Sequence, residues 1–352
     1  MSTNSSNRED FSISPNLGKG LCLFFYSQLF VTPKIPTQSF AKQTVIITGA
    51  NSGLGLEAAQ HFYRLNSARL ILAVRTIAKG QEAKEYILQN NPQRSEPDAI
   101  EIWSLDLSST KSTLAFADRV KTDLPRLDTL INNAGINSPE WKVYEGYEQT
   151  VQVNVLNTFL LALSLLPKLE ATKAILAEKE SHPHLVIVSS EAHRLTKFPE
   201  INAPELYTKL NDKNDFSQQP RYQATKLMEV LFTRELVTRL GSSTSVIINL
   251  VNPGLCTSNL GRNSGKAPAV LRLVRYILDR TTEAGSRTLV LGASAPASSH
   301  GEFQSDGANQ DVEAWIYTEV GQRAQKKVFD QTLQILETRK PGIAYEAGLC
   351  DV

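Results

Sequence analysis

From Thr44 onward, short apolar runs alternate along the chain with longer amphipathic ones. Thr44–Thr48 is a continuous β-branched run, as in a strand buried on both faces, and Leu54 to Leu65 carries its apolar residues at helical spacing. Arg69 to Val74 predicts the next strand, followed by a helix from about Ile77 to Leu88. Ile100 to Leu105, Thr129 to Ile131, Leu185 to Val188 and Val246 to Leu250 continue the series of buried strands. Such alternation predicts an α/β fold with a doubly wound, mainly parallel sheet and helices on both faces.

No internal repeat or long linker divides this region, so one domain is expected over residues 41–345, preceded by an N-terminal extension over residues 1–40. In the extension, a polar start gives way to the apolar run of residues 21–31, which Pro33 and Pro36 end. Eleven residues fall short of the roughly 20 that span a bilayer, and no small-residue cleavage site follows. A helix packed on the domain surface, a peripheral membrane contact and a substrate-entry lid are the open readings. Residues 170–182 and 191–220 read as polar, irregular insertions. The span 262–280 reads as an amphipathic helix covering either its own core or a substrate pocket.

Composition narrows the field only modestly. With 352 residues, 41% hydrophobic, 21% charged and a net charge of +1, the chain is that of a soluble globular protein with no bulk attraction to nucleic acid. Cys22, Cys256 and Cys350 have no metal-ligand or CxxC spacing, which predicts a reducing compartment, no disulfide and no metal site. A cytoplasmic protein is expected, with at most peripheral attachment to an intracellular membrane. Cys256 has no base nearby in sequence and no nucleophile context, so no catalytic role is expected of it.

Between the first strand and its helix lies Thr48-Gly49-Ala50-Asn51-Ser52-Gly53-Leu54-Gly55. A glycine-rich turn there lets backbone N–H groups approach a phosphate, and the helix N-terminus adds a favourable dipole. The spacing departs from G-x-G-x-x-G, and by itself also suits a tight turn. The second strand runs into Arg75 with no acidic residue, which favours the 2′-phosphate of NADP(H) over the ribose hydroxyls of NAD; the alternative is a solvated arginine. Asp106 could accept from an adenine amino group or cap the following helix. Asn132-Asn133-Ala134-Gly135 suits a backbone that runs against a ligand.

Tyr222 and Lys226 place a phenol and an ammonium one helical turn apart. Lowering a tyrosine pKa from about 10 to about 7 takes roughly 4 kcal/mol. A cation about 4 Å away supplies on the order of that much at an effective dielectric near 20.

Thr48 to Gly55, Asn132 to Gly135, Asn154, Ser190, Tyr222 to Lys226 and Pro253-Gly254 together resemble, in order over roughly residues 42–310, the short-chain dehydrogenase/reductase superfamily. Ser189-Ser190-Glu191-Ala192-His193 and Leu231 to Leu236 look like the branch of retinol dehydrogenases and related fungal reductases. The resemblance implies a Rossmann-type sheet and a catalytic set of Ser190, Tyr222, Lys226 and Asn154. Tyr222 would exchange a proton with the substrate oxygen, and Lys226 would lower the phenol pKa and bond the nicotinamide ribose. Ser190 would hydrogen-bond the substrate oxygen, and Asn154 would hold a water that links Lys226 to solvent. Read without the family, Asn154 is a helix-kinking amide satisfied by backbone, and Ser189 competes with Ser190.

The implied cofactor set is Gly49, Ser52, Gly53, Leu54, Gly55, Arg75, Asp106, Asn133, Tyr222, Lys226, Leu255 and Thr257, with the Leu255 backbone and the Thr257 hydroxyl near the carboxamide and phosphates. Tyr222 lies 32 residues beyond Ser190, a longer spacing than in many members, so residues 191–220 are expected to shape the pocket. The expected activity is NADP(H)-dependent interconversion of a small-molecule ketone or aldehyde with an alcohol, as a tailoring step in fungal secondary metabolism. A membrane-associated retinol- or lipid-type alcohol dehydrogenase and a dinucleotide-sensing scaffold are the rivals.

Overall fold

A computed structural model of the chain describes residues 10–176, 181–257, 275 and 278–349. Helix α1 (Leu17–Phe30) precedes the expected series of β1 (Thr44–Thr48), α2 (Gly53–Arg64), β2 (Arg69–Val74), α3 (Ile77–Asn90), β3 (Ile100–Ser104), α4 (Thr110–Asp123) and β4 (Thr129–Asn132). A small hairpin of β5 (Val143–Tyr144) and β6 (Tyr147–Glu148) leads into one long helix. That helix is built from α5 (Gln149–Val151), a π-helical turn (Gln152–Asn157) and α6 (Thr158–Ile175). Then come β7 (His184–Val188), α7 (Leu206–Leu210), α8 (Gln218–Leu240), β8 (Ile247–Asn252), α9 (Thr282–Gly292), β9 (Phe303–Ser305), β10 (Ala308–Gln310), α10 (Glu319–Arg339) and α11 (Ile343–Glu346).

The sheet runs β3-β2-β1-β4-β7-β8-β9-β10, and every neighbouring pair is parallel except β9 with β10. Because β1 lies between β2 and β4, the winding reverses there and opens a crevice at the carboxyl ends of the strands. Asp306 and Gly307, both at positive φ, make the tight turn of the last hairpin. The strands bury both faces, which is why they read as continuous apolar runs.

Two apolar layers flank the sheet. One contains Phe159, Phe232 and Phe329, whose rings pack in sequence at 3.9 and 4.8 Å between α6, α8 and α10. The other contains Val45, Phe62, Leu72, Ile87 and Leu289 under α2, α3 and α9. The Gln149–Ile175 helix is long and apolar enough to cross a bilayer, yet 94% of its most apolar stretch is buried, so its hydropathy reflects a core position.

Three expectations change. The extension contributes Phe11 and Ile13 to the first layer and Phe40 to the second, so core packing does not stop at residue 40. Residues 170–175 continue α6, and the span 191–220 buries Phe198, Ile201, Leu206, Tyr207 and Leu210 through short turns and α7. Those apolar residues lack a regular period, which is why the span reads as irregular. The expected helix over 262–280 falls mostly outside the described residues, as does Cys350.

Candidate active site

The glycine turn is fixed from β4. Thr48 Oγ1 accepts the backbone N–H groups of Asn133 at 3.0 Å and Ala134 at 2.9 Å, and Asn133 Nδ2 donates to the Thr48 carbonyl at 2.8 Å. A Cβ on Gly55 would lie 2.6 Å from both Asn133 Nδ2 and the Gly49 carbonyl oxygen, so only glycine allows this approach. Gly49, at φ +69°, is less tightly confined, with a Cβ there lying 3.2 Å from Ala134. Gly53, at φ +59°, instead faces open space.

Ser52 makes no side-chain cap bond to α2, and the first turn of α2 has no acidic residue. Its leading N–H groups are therefore presented to an anion, and the open side at Gly53 gives that anion room. The turn suits a dinucleotide pyrophosphate. Thr48 was not anticipated as a brace; its signal is a hydroxyl at the last position of the strand before the glycines. Asn133, expected at the cofactor, has its amide occupied by Thr48 and holds the turn.

Arg75 follows β2, is exposed, and has no hydrogen bond or ion pair among the described residues. Asp106 Oδ1 accepts from the backbone and hydroxyl of Ser108 at 2.9 and 2.8 Å, whereas α4 is capped by Ser109. Asp106 thus shapes the turn before the helix without being its cap.

Helix α8 runs for 23 residues and ends at Gly241, which adopts φ +53°. Tyr222 and Lys226 share one face, with Lys226 Nζ 5.7 Å from the phenol ring centroid. Lys226 is buried and donates to the Val188 carbonyl at 2.9 Å and to both Glu229 carboxylate oxygens, at 2.8 and 3.1 Å. Ser189 and Ser190 follow β7 and face opposite ways. Ser189 is buried and its hydroxyl reaches the Lys226 carbonyl at 3.4 Å, whereas half-buried Ser190 accepts from the Ala192 N–H at 3.1 Å. That alternation leaves the Ser190 side chain on the less buried side of the chain.

Burial raises the Tyr222 pKa, Lys226 lowers it, Glu229 raises it and neighbouring Ser190 lowers it; the result lies above the ordinary tyrosine value. The depression expected from Lys226 alone is not reached, because burial of the phenol outweighs the pull of the ammonium and Glu229 adds to the rise. Burial in turn pushes the Glu229 carboxyl up to about 7, against the pull of Lys226. Glu229 was missed in the sequence, where an acid three residues after a lysine reads as an ordinary surface ion pair.

Asn154 sits in the π-helical turn with its amide fully engaged. Oδ1 accepts from the Ile136 N–H at 2.8 Å, and Nδ2 donates to the Ile136 carbonyl at 3.0 Å and to Thr225 Oγ1 at 3.2 Å. The Thr225 hydroxyl donates to the Tyr222 carbonyl at 2.8 Å, so Asn154 ties the loop after β4 to the helix that carries Tyr222. The side-chain amide is thus satisfied by the backbone of Ile136 and the hydroxyl of Thr225.

Leu255 departs from its expected role. Its N–H donates to Gln28 Oε1 at 3.1 Å, and its carbonyl accepts from the Arg280 N–H at 2.8 Å and Gln28 Nε2 at 3.0 Å. Thr257 is exposed; its N–H donates to the Arg280 carbonyl at 3.1 Å and its hydroxyl to Asp279 at 3.5 Å. Because this bridge uses Leu255 and Thr257, the N–H and C=O of Cys256 point to the opposite edge. Burial pushes the Cys256 thiol up to about 12, so it remains protonated and is no nucleophile.

Thr48, Arg75, Asp106, Asn133, Ser190 and Leu255 stand at or just beyond the carboxyl ends of β1, β2, β3, β4, β7 and β8, and Lys226 is tied to that edge through the Val188 carbonyl. The short chain dehydrogenase family profile matches residues 43–200. The chain is 39% identical over 326 residues to the short chain dehydrogenase/reductase dmxR8 of Cryptosporiopsis sp., covering 91% of this chain and 98% of that protein. It is 37% identical to the short-chain dehydrogenase anuD of Penicillium roqueforti, covering 91% and 84% respectively. The solved Pseudomonas aeruginosa RhlG/NADP active-site complex shares the fold, with a TM-score of 0.57 at 21% identity over 77% of this chain and 97% of that one. The chain is an oxidoreductase of the short-chain dehydrogenase/reductase family, whose members use NAD(P).

Proposed function

We propose that the protein is an NADP(H)-dependent oxidoreductase that interconverts a ketone or aldehyde with an alcohol at Ser190, Tyr222 and Lys226. The observation that carries this reading is one arrangement: a half-buried phenol with a buried ammonium 5.7 Å from its ring, beside an outward-facing serine at the end of β7. When bound, the reduced nicotinamide supplies the hydride. Tyr222 delivers its phenolic proton to the carbonyl oxygen during reduction and accepts it back during alcohol oxidation. The Ser190 hydroxyl donates to the same oxygen where negative charge develops. Lys226 stabilises the phenolate, and Glu229 and the Val188 carbonyl fix its position.

The preference for NADP(H) rests on Arg75, whose guanidinium, unpaired among the described residues, suits a bidentate contact with a 2′-phosphate. Arg75→Asp is expected to lower the NADPH:NADH ratio of kcat/KM by about 100-fold, the scale of a lost charge-assisted contact plus a new repulsion. A ratio that favours NADH in the unmutated protein, or that does not move, removes Arg75 from the site. Screening carbonyl compounds with NADPH by nicotinamide absorbance tests the activity itself. A folded protein that binds cofactor and turns over none of them favours the sensing scaffold. Its likeness to fungal reductases supports a tailoring step in secondary metabolism, carried out by the domain of residues 41–345 in the cytoplasm.

A second reading, peripheral membrane attachment, is favoured by the outer face of α1. Leu21, Phe25 and Leu29 recur every four residues and are 47%, 44% and 47% exposed, and Phe30 beside them is 75% exposed. Full-length protein is expected to float with phosphatidylcholine vesicles, and Phe25→Ser with Phe30→Ser to abolish flotation. Equal flotation by both, or by neither, removes the membrane from the reading.

A further inference from the structure

Helix α1 is built inside out. Of its 14 residues only Gly20 is buried, while Leu21, Phe25, Leu29 and Phe30 face outward. What holds its C-terminal half to the protein is polar. Ser27 Oγ donates to Asp306 Oδ2 at 2.7 Å, and Arg280 Nη2 donates to the Ser27 carbonyl at 2.6 Å, to Ser27 Oγ at 2.8 Å and to the Val31 carbonyl at 3.0 Å. Arg280 itself is buried and paired with Asp306 at 2.6 Å.

Gln28 lies between these contacts and reaches the segment after β8. Its Oε1 accepts the Leu255 N–H at 3.1 Å, and its Nε2 donates to the carbonyls of Leu255 at 3.0 Å and Leu278 at 2.6 Å. The side-chain amide therefore meets Leu255 as the peptide group of a neighbouring strand would. A Cβ on Gly254, at φ +79°, would lie 2.5 Å from Gln28 Oε1 and 2.8 Å from Arg280 Nη1. The positive φ favours glycine here, and the missing Cβ leaves room for the ends of the Gln28 and Arg280 side chains.

We infer that α1 braces the Gly254–Thr257 segment and that Gln28 is a positioning residue, which holds Leu255 from one edge so that the main chain of Cys256 is presented from the other to the nicotinamide end of the cofactor. The inference rests on the proposed cofactor reading. It explains why a polar side chain faces inward from a helix that turns Leu21, Phe25, Leu29 and Phe30 outward. It also couples the two ends of the chain, since Gln28 and Leu255 are 227 residues apart in sequence.

The test uses full-length protein and three measurements: amide hydrogen exchange at Leu255 without cofactor, NADPH affinity by nicotinamide fluorescence, and steady-state kinetics. Gln28→Ala is expected to speed exchange at Leu255 about tenfold and to weaken NADPH binding about tenfold, the scale of losing neutral hydrogen bonds. The KM of the carbonyl substrate should change little. Ser27→Ala, which removes one hydroxyl contact but keeps Gln28 and the Arg280 bonds to the Ser27 and Val31 carbonyls, is expected to leave Leu255 exchange within about twofold of the unmutated protein. Unchanged exchange and affinity in Gln28→Ala overturn the brace, and an equal effect from Ser27→Ala overturns the specific role of Gln28. Faster exchange with unchanged NADPH affinity overturns the positioning role. If the unmutated protein binds neither NADPH nor NADH, the proposed function fails, and the exchange measurement still decides whether Gln28 holds the loop.

Discussion

Tyr222→Phe is expected to lower turnover by about 10² to 10⁴-fold, the range contributed by a positioned general acid or base, with little change in NADPH affinity. The substitution removes one hydroxyl and keeps the ring that packs 5.7 Å from Lys226 Nζ. The proton donor is lost while the cofactor turn, braced by Thr48 and Asn133 on other strands, is untouched. The raised phenol pKa fixes the sign of the pH dependence. Carbonyl reduction needs the protonated phenol and should persist above neutral pH, whereas alcohol oxidation needs the phenolate and should rise with pH. Rates in both directions across pH, together with a cofactor titration, provide the check. Turnover within a few-fold of the unmutated protein would remove Tyr222 from the chemistry.

Lys226→Met should cost stability as well as activity. It removes the cation that favours the phenolate and leaves Glu229, 2% exposed, without the ammonium it accepts from. Breaking a buried ion pair from one side costs about 3 kcal/mol or more. The cost depends on pH in a defined direction. Glu229 already sits at about 7 in the folded protein against 4.5 ordinarily, so the stability linked to its neutral form is fully present below 4.5 and lost as pH rises through 7. Without Lys226 the carboxyl moves higher still, and the destabilisation should grow from acid to alkaline pH. Urea denaturation at several pH values measures this directly. Adding Glu229→Leu should restore most of the stability without restoring turnover, because an apolar pair replaces a broken ionic one. If the double variant is as unstable as the single one, the Glu229 carboxylate is not the source of the cost.

The asymmetry of the two variants reflects how Lys226 is held. Tyr222 is half-buried at the edge of the crevice, and its hydroxyl can be removed without disturbing the core. Lys226 is joined to β7 through the Val188 carbonyl and to its own helix through Glu229, so it carries structural as well as electrostatic weight.

The local pattern of the sequence determined the sheet and the order of the site. The β1 and β2 spans read from it are the observed ones, because a strand buried on both faces is apolar along most of its length, and that is a property of adjacent residues. The spacing of Tyr222 and Lys226 likewise follows from helical period alone. What the tertiary structure decided is how each polar group is satisfied, since a buried N–H or C=O takes whichever partner the fold brings to it, however distant in sequence. Asn133 therefore braces Thr48 across 85 residues, Asn154 binds Thr225 across 71, and Gln28 occupies Leu255 across 227. Glu229 is only three residues from Lys226, yet the rise of its own pKa came from burial, which depends on the elements packed around α8. Period and spacing are written into neighbouring residues, whereas burial and partner choice exist only once the layers have closed.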